Sequence, residues 1–461
     1  MAIIPAPRRS ARPALPLTAV PTIAVPVAPA PTTRDGAIDL VRASCVAAVV
    51  ALHALMVGVT VDASGPVFAN AAEGASWFAP LTWVLQVMPL FFVVGGFAGA
   101  TAFRRRRARG GTRAEFVAGR VQRLLVPAVV VVGVVGAALA ALAMAGVPAD
   151  LVDVAGWRFA QPLWFLGVFL LCQALLPVLL VAHERRPLTT IGALAAAAVV
   201  VDLARAATGV EAIGILNLAF VWLALQQIGF FLADGRIDAL RRRTRVLVLG
   251  GAVAALAASF AGGIYSHDLI ANLNPPTTAL LIVGVAQSAA FSLLRDRLDS
   301  LSRSRRIAGF TRFVTERTMT IYLWHMPVLL AMAGASALFA LSTGIALPEP
   351  SSAAWWVTRP VWLAAALILT AVVACALAGV ERRRMPRPAA SVALVPRAVA
   401  LGIGAVVLLL VVGTTAVTAA IAVTMMLVAL RWSSERRAAD HHQHGGEHDA
   451  GEQADQPIDR A

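Results

Sequence analysis

Charge is the first thing this chain is short of. Only 14% of its 461 residues are charged, against 59% hydrophobic, and the mean hydropathy is +0.77. One soluble core cannot bury that much apolar surface, so a soluble globular protein is excluded and lipid is the expected solvent. Lysine is absent, and the wholly arginine basic set, with the abundance of alanine, reflects codon usage more than mechanism. Cysteine is scarce: Cys45, Cys172 and Cys375 each fall inside an apolar run, as small core residues, and give no disulfide framework. Ten-residue alternating segments are missing too, which excludes a transmembrane barrel, because stretches such as Val121 to Met144 are apolar on every face. No period of 20 to 50 residues repeats, so the chain is not an array.

What is present is a series of apolar runs of roughly 18 to 25 residues, the length a helix needs to cross about 30 Å of hydrocarbon. The expected fold is all-α, a polytopic membrane protein of about ten or eleven transmembrane helices. Spans are predicted near 38–59, 81–103, 121–145, 162–182, 189–207, 213–233, 246–265, 277–294, 319–342 and 355–379, with a last run over about 398–430. That run is either one long tilted helix or a hairpin turning near Gly413 to Thr415. One crossing is the expectation, although Arg431, Arg436 and Arg437 favour a return. Residues 1–33 form a Pro/Ala-rich arm expected to be disordered, since its prolines prevent a signal-peptide helix. Residues 34–380 form the ten-helix domain, and 381–432 add a basic loop and a further transmembrane segment. Residues 433–461 form a polar tail whose His441, His442, His444 and His448 hint at metal; without a scaffold they read better as a solvated tail, and no metal site is assigned.

The formal net charge of +14 would suggest nucleic acid if it formed a patch, but the arginines sit in alternate loops, so no nucleic-acid partner is expected. Loops around Arg104–Arg123, Arg185–Arg186, Arg236–Arg245, Arg295–Arg317 and Arg382–Arg397 are basic, while those between them carry carboxylates such as Glu73, Asp153, Asp202 and Asp268. This alternation predicts a multi-pass protein of the cell membrane with a cytoplasmic N-terminus.

Titratable groups inside a span are costly and tend to line a polar cavity. In the first span, Arg42 and His53 lie eleven residues apart, and eleven steps of about 100° bring His53 within about 20° of the Arg42 face. Asp39 lies within about 40° of that face, so one helix carries a polar stripe. The alternative is that Asp39 and Arg42 snorkel to water while His53 bonds a neighbouring helix. Tyr322 and His325, at i and i+3 in Tyr322-Leu-Trp-His325-Met-Pro327, share a face, and Pro327 predicts a kink or opening; an interfacial aromatic belt is the competing reading. The second span ends Phe91-Phe92-Val-Val-Gly95-Gly96-Phe97, where paired glycines admit close approach. Arg120 and Arg123, three apart at a helix start, suit phosphate, though plain topology accounts for basic loops as well.

In order along the chain, Asp39-Leu-Val-Arg42 with His53, Phe91 to Phe97, Arg120-Val-Gln-Arg123 to Pro127, Leu163-Trp164-Phe165-Leu166 and Tyr322 to Pro327 resemble the acyltransferase 3 family of membrane proteins, over roughly residues 34–380. The resemblance implies a membrane O-acyltransferase that moves acetyl or another short acyl group from cytoplasmic acyl-coenzyme A to a hydroxyl of a sugar, glycan, lipid or secondary metabolite. Acyl-coenzyme A is then a co-substrate, with no bound cofactor. The resemblance makes His53 the general base and Arg42 its catalytic companion, an acyl-His53 intermediate being the rival mechanism. It assigns Arg120 and Arg123 to the donor's phosphates, and Asp39, Gly95, Gly96, Trp164, Tyr322 and His325 to lining or shaping the path. One departure stands out: the family usually has Ser where this chain has Gly95. The competing expectations are a transporter of a glycan or small molecule, weakened by the lack of an inverted repeat, and a degenerate member without activity.

Overall fold

The computed structural model describes residues 35–63, 65–382 and 385–435. The arm at 1–33, the tail histidines, Arg436 and Arg437 lie outside the described residues. From Gly36 onward the helices belong to one compact unit. Helix α1 (Gly36–Met56) leads into a β-hairpin, β1 (Val57–Asp62) and β2 (Gly65–Asn70), followed by α2 (Phe78–Leu85), α3 (Met88–Ala108) and α4 (Arg113–Met144). Helix α5 (Ala149–Ala160) joins α6 (Trp164–Arg185) through a 3₁₀ turn at Gln161–Leu163. Then come α7 (Pro187–Thr208), a second 3₁₀ turn (Glu211–Leu216), α8 (Asn217–Ala233), α9 (Arg242–Ala261) and α10 (Thr278–Ser302). The chain closes with α11 (Arg305–Glu316), α12 (Thr318–Thr343), α13 (Ala353–Ala376), α14 (Ala378–Arg382), α15 (Leu394–Val412) and α16 (Ala416–Trp432). Among the described residues, 11 helical segments are long and apolar enough to cross a membrane; α2–α3 and α5–α6 count as one each, and α16 is a shorter apolar helix. The protein is therefore an all-α polytopic membrane protein, as its composition requires.

Three boundaries differ from expectation, each for a local reason. The first span stops at Met56 instead of Val59, because Val57-Gly-Val-Thr-Val alternates like a strand and pairs antiparallel with β2, from Val57 opposite Asn70 to Asp62 opposite Gly65. The second span is broken at Gln86–Val87, ahead of Pro89. The break keeps its polar groups bonded: buried Gln86 donates from Nε2 to the Leu269 carbonyl at 2.9 Å, and its own carbonyl accepts from Gln287 Nε2 at 2.8 Å. The last apolar run is two helices and not one. Gly413, at φ 87°, ends α15, and the Thr415 hydroxyl accepts from Thr418 N–H at 3.1 Å while the Thr418 hydroxyl accepts from Thr415 N–H, a capping box that starts α16. The two ends of this hairpin meet where Ala389 N–H donates to the Ser433 carbonyl at 2.9 Å. The run therefore turns back, contrary to a single crossing. Pro327 gives no opening: α12 runs through it as one helix.

The arginine-rich ends gather at one end of the bundle. Arg104 at the end of α3 pairs with Glu184 at the end of α6 and with Asp234 just after α8, and Arg295 of α10 pairs with Asp238. At the other end Asp202 accepts from Asn217 Nδ2, the Tyr265 hydroxyl and Thr278 N–H, each at 2.8 Å, tying α7, α8, the 262–277 loop and the start of α10. Burial and the neighbouring Asp202 carboxylate push the Tyr265 phenol up to about 12. Helices α3 and α8 cross closely because Gly96 and Gly229 face each other's backbone; a Cβ on Gly96 would stand 2.0 Å from the Gln226 carbonyl oxygen.

Candidate functional site

The last turn of α1 carries His53, half-buried in the bundle, and the first half of α12 carries His325, which is fully buried. The two imidazoles meet: His325 Nε2 lies 3.1 Å from His53 Nδ1, with ring centroids 5.0 Å apart. His325 Nδ1 lies 2.5 Å from the Tyr322 carbonyl oxygen. A carbonyl only accepts, so this nitrogen carries the hydrogen. In the neutral imidazole Nε2 is then an acceptor, His53 Nδ1 donates to it, and His53 Nε2 keeps its lone pair. The chain Tyr322 carbonyl, His325, His53 thus selects one tautomer of His53 and leaves one nitrogen basic.

Neighbouring elements clamp this end of α1. Trp362 Nε1 donates to the Ala54 carbonyl at 2.9 Å, and Arg359 Nη1 donates to the Val57 carbonyl at 3.3 Å while its guanidinium stacks over Trp355 and Trp362. The Tyr322 hydroxyl donates to the Pro162 carbonyl at 2.7 Å, which fixes α12 to the turn between α5 and α6. Beside it runs an aromatic wall: Phe165 meets Tyr322 edge-on at 5.0 Å, and Trp164 and Phe92 each stack on Trp222, at 5.7 and 4.4 Å.

Arg42 lies eleven residues before His53, about 16 Å along the helix axis. It pairs with Asp39 at 3.1 Å. The Arg120 guanidinium feels the charges of both Arg123 and Arg42, so α1 and α4 assemble three arginines at the arginine-rich end. Arg120 is half-buried and sits 4.9 Å over the Phe116 ring, Arg123 is exposed, and neither has an ion-pair partner among the described residues. The two ends of the first helix thus keep different company: Arg42 lies with Asp39 and the arginines of α4, and His53 lies with His325.

The two glycines separate. Gly96 is packed into the α3–α8 crossing, whereas Gly95 is half-buried, and a Cβ there would meet only Phe169 Cε2, at 3.4 Å. Sequence reasoning missed Trp222, which no motif flags, and Arg359, whose Trp355-Trp356-Val-Thr-Arg359 setting offered an aromatic signal. Among the described residues no group of three His, Cys, Asp or Glu residues could hold a metal ion.

Fold and site together are those of a multi-pass helical membrane protein that holds an imidazole pair at one level of the bundle and arginines at another. The acyltransferase 3 family model, described as an acyltransferase domain, matches residues 35–379, so the chain belongs to that family. No curated protein and no solved structure matches it significantly.

Proposed function

We propose that this acyltransferase moves a short acyl group such as acetyl from acyl-coenzyme A, bound from the cytoplasm, to a hydroxyl of an acceptor, with His53 as general base. The observation that carries the reading is the His53–His325 contact, since it selects the tautomer that leaves His53 Nε2 basic. In the reaction Nε2 takes the acceptor's hydroxyl proton as that oxygen attacks the thioester carbonyl. The tetrahedral intermediate expels the coenzyme A thiolate, which recovers the proton from the imidazolium. Base assistance of this kind contributes about 10² to 10⁴ in rate.

The donor reading rests on Arg120 and Arg123, which have no carboxylate partner among the described residues and suit phosphate oxygens. With the phosphates there, an extended pantetheine arm reaches along α1 toward His53. The arginine-rich loops support a cytoplasmic side for this end and an external side for the β-hairpin end. A reporter fused after Arg245 then reads cytoplasmic, and one fused after Asp268 external. The decisive assay is coenzyme A release from radiolabelled acetyl-coenzyme A by purified protein in proteoliposomes, with label followed into acceptor. Thioester consumption supports the enzyme; an acceptor carried across unchanged, with no thiol released, makes the protein a transporter.

A further inference from the structure

A groove of about 580 Å³ opens between the β-hairpin and α5, lined by Phe68, Asn70 and Glu73 on one side and Asp153, Trp157, Arg158 and Gln161 on the other. We infer that this groove docks the acceptor and takes the pyranose ring of a glycan, a conclusion that rests on the acyl-transfer reading above.

The position of the groove ties it to the imidazole pair. Asn70 is the register partner of Val57, four residues beyond His53, and Ala71 N–H donates to the Met56 carbonyl at 2.8 Å. On the other wall Gln161 precedes Pro162, whose carbonyl holds the Tyr322 hydroxyl, and Tyr322 in turn holds His325. Both walls are thus continuations of the segments that position the two histidines.

The lining chooses the class of occupant. Asp153, Trp157 and Gln161 are spaced four apart, so they share one face of α5 and its 3₁₀ extension. Trp157 is 51% exposed, an apolar ring face offered to the groove. A pyranose presents C–H groups on one face, which stack on such a ring, and hydroxyls around its rim, which need acceptors and donors together. Glu73 and Asp153 supply acceptors, Arg158 supplies donors, and Gln161 supplies both. None of these four side chains has a hydrogen-bond or ion-pair partner among the described residues. Asn70 accepts from Ala72 N–H through Oδ1 at 3.1 Å, which leaves its NH₂ group to donate. A lipid chain would leave these groups desolvated and unbonded, and an anionic acceptor would face two carboxylates.

The test uses the full chain in proteoliposomes with acetyl-coenzyme A as donor and two probe acceptors, a methyl pyranoside series and a long-chain alcohol. Transfer is read by mass spectrometry and by thiol release. Trp157→Ala should raise the pyranoside KM by about tenfold, leaving kcat and the acetyl-coenzyme A KM within about twofold; Trp157→Phe should keep most of the affinity. An unchanged pyranoside KM would make Trp157 an interfacial anchor and overturn the inference, as would a parent that acylates the alcohol in preference to every pyranoside. Calorimetry of pyranoside binding to His53→Ala separates the two readings. Binding that Trp157→Ala abolishes, in a parent that transfers no acyl group, would keep the groove and sink the acyltransferase. Transfer by a parent whose pyranoside binding ignores Trp157 would do the reverse.

Discussion

Replacing His325 by Phe keeps an aromatic ring in a fully buried position but removes the acceptor for His53 Nδ1, which now lies 3.1 Å from His325 Nε2. In the ground state that hydrogen bond joins two neutral rings. Once His53 holds the acceptor's proton, the donor is an imidazolium and the bond becomes charge-assisted. Neutral bonds contribute about 0.5–1.5 kcal/mol net and those to charged groups about 1.5–3 kcal/mol, so the increment made only in the transition state is about 1–2 kcal/mol. At about 1.4 kcal/mol per tenfold, kcat should fall about 5- to 30-fold, with the acetyl-coenzyme A KM unchanged. His53→Ala should cost about 10²-fold or more. Because the two rings act as one unit, the double variant should be no slower than His53→Ala alone. Thiol release with the parent's acceptor reads all four proteins, and a thermal melt checks each fold, since His325→Phe also leaves the Tyr322 carbonyl without its side-chain donor. Losses that multiply in the double variant would refute the coupling. A larger loss from His325→Phe than from His53→Ala would move the base to His325.

The remaining expectations test other parts of the site. Replacing Arg120 and Arg123 together by Ala should raise the acyl-coenzyme A KM with little change in kcat, because phosphate contacts serve ground and transition states alike; an unchanged KM with lowered turnover would reassign them. Gly95→Ser should fold like the parent, since its Cβ meets one ring carbon at 3.4 Å, whereas Gly96→Ser should lower the melting temperature, its Cβ falling 2.0 Å from a backbone oxygen. Equal melting temperatures would contradict the close α3–α8 crossing. Burial alone would raise the Asp234 carboxyl, but His183, bonded at 3.0 Å, and Arg104, paired at 2.8 Å, hold it below the usual carboxylate range. Its stabilising contribution is therefore complete above about pH 4, the unfolded value, and is lost as pH falls below that. The melting-temperature gap between parent and Asp234→Asn should be widest near neutrality and close in acid; a gap that persists at low pH would show that Asp234 acts through packing.

The bundle was legible because membrane spans are dictated by local apolar length, and the arginine alternation was legible because topology writes it in the loops. The reading of Asp39, Arg42 and His53 as one stripe rests on the 100° step alone. The His53–His325 contact was not legible, since it joins residues 272 apart in sequence and depends on how α1 and α12 pack. Other misses had signals that were outweighed. The alternation in Val57-Gly-Val-Thr-Val-Asp62 and the following Gly65-Pro66 describe a strand and a turn, but hydropathy carried the first span past them. Gly413-Thr-Thr415 with Thr418 is a helix stop followed by a helix start, the hairpin that the sequence offers, but the length of the apolar run fits one tilted crossing as well. The Asp153, Trp157, Gln161 spacing marks a helical face as well, but the charge pattern of a loop carries no such period.

The departure at Gly95 acquires a physical meaning from the α3–α8 crossing. Had both glycines been demanded by close packing, a serine at 95 would be sterically excluded and its absence would say nothing about chemistry. The backbone contact belongs to Gly96 and Gly229 instead, and Gly95 sits half-buried beside Phe169. What the chain forgoes there is a hydroxyl and not room for one. The proposed proton path does not pass through that position: it runs from the acceptor to His53 Nε2, with Nδ1 anchored on His325 and His325 anchored on the Tyr322 carbonyl. Gly95→Ser therefore also distinguishes two accounts of activity. If acyl transfer runs through the imidazole pair alone, the added hydroxyl should leave kcat within about threefold. A gain of about a hundredfold would mean that the imidazole pair had been idling for want of a hydroxyl at 95.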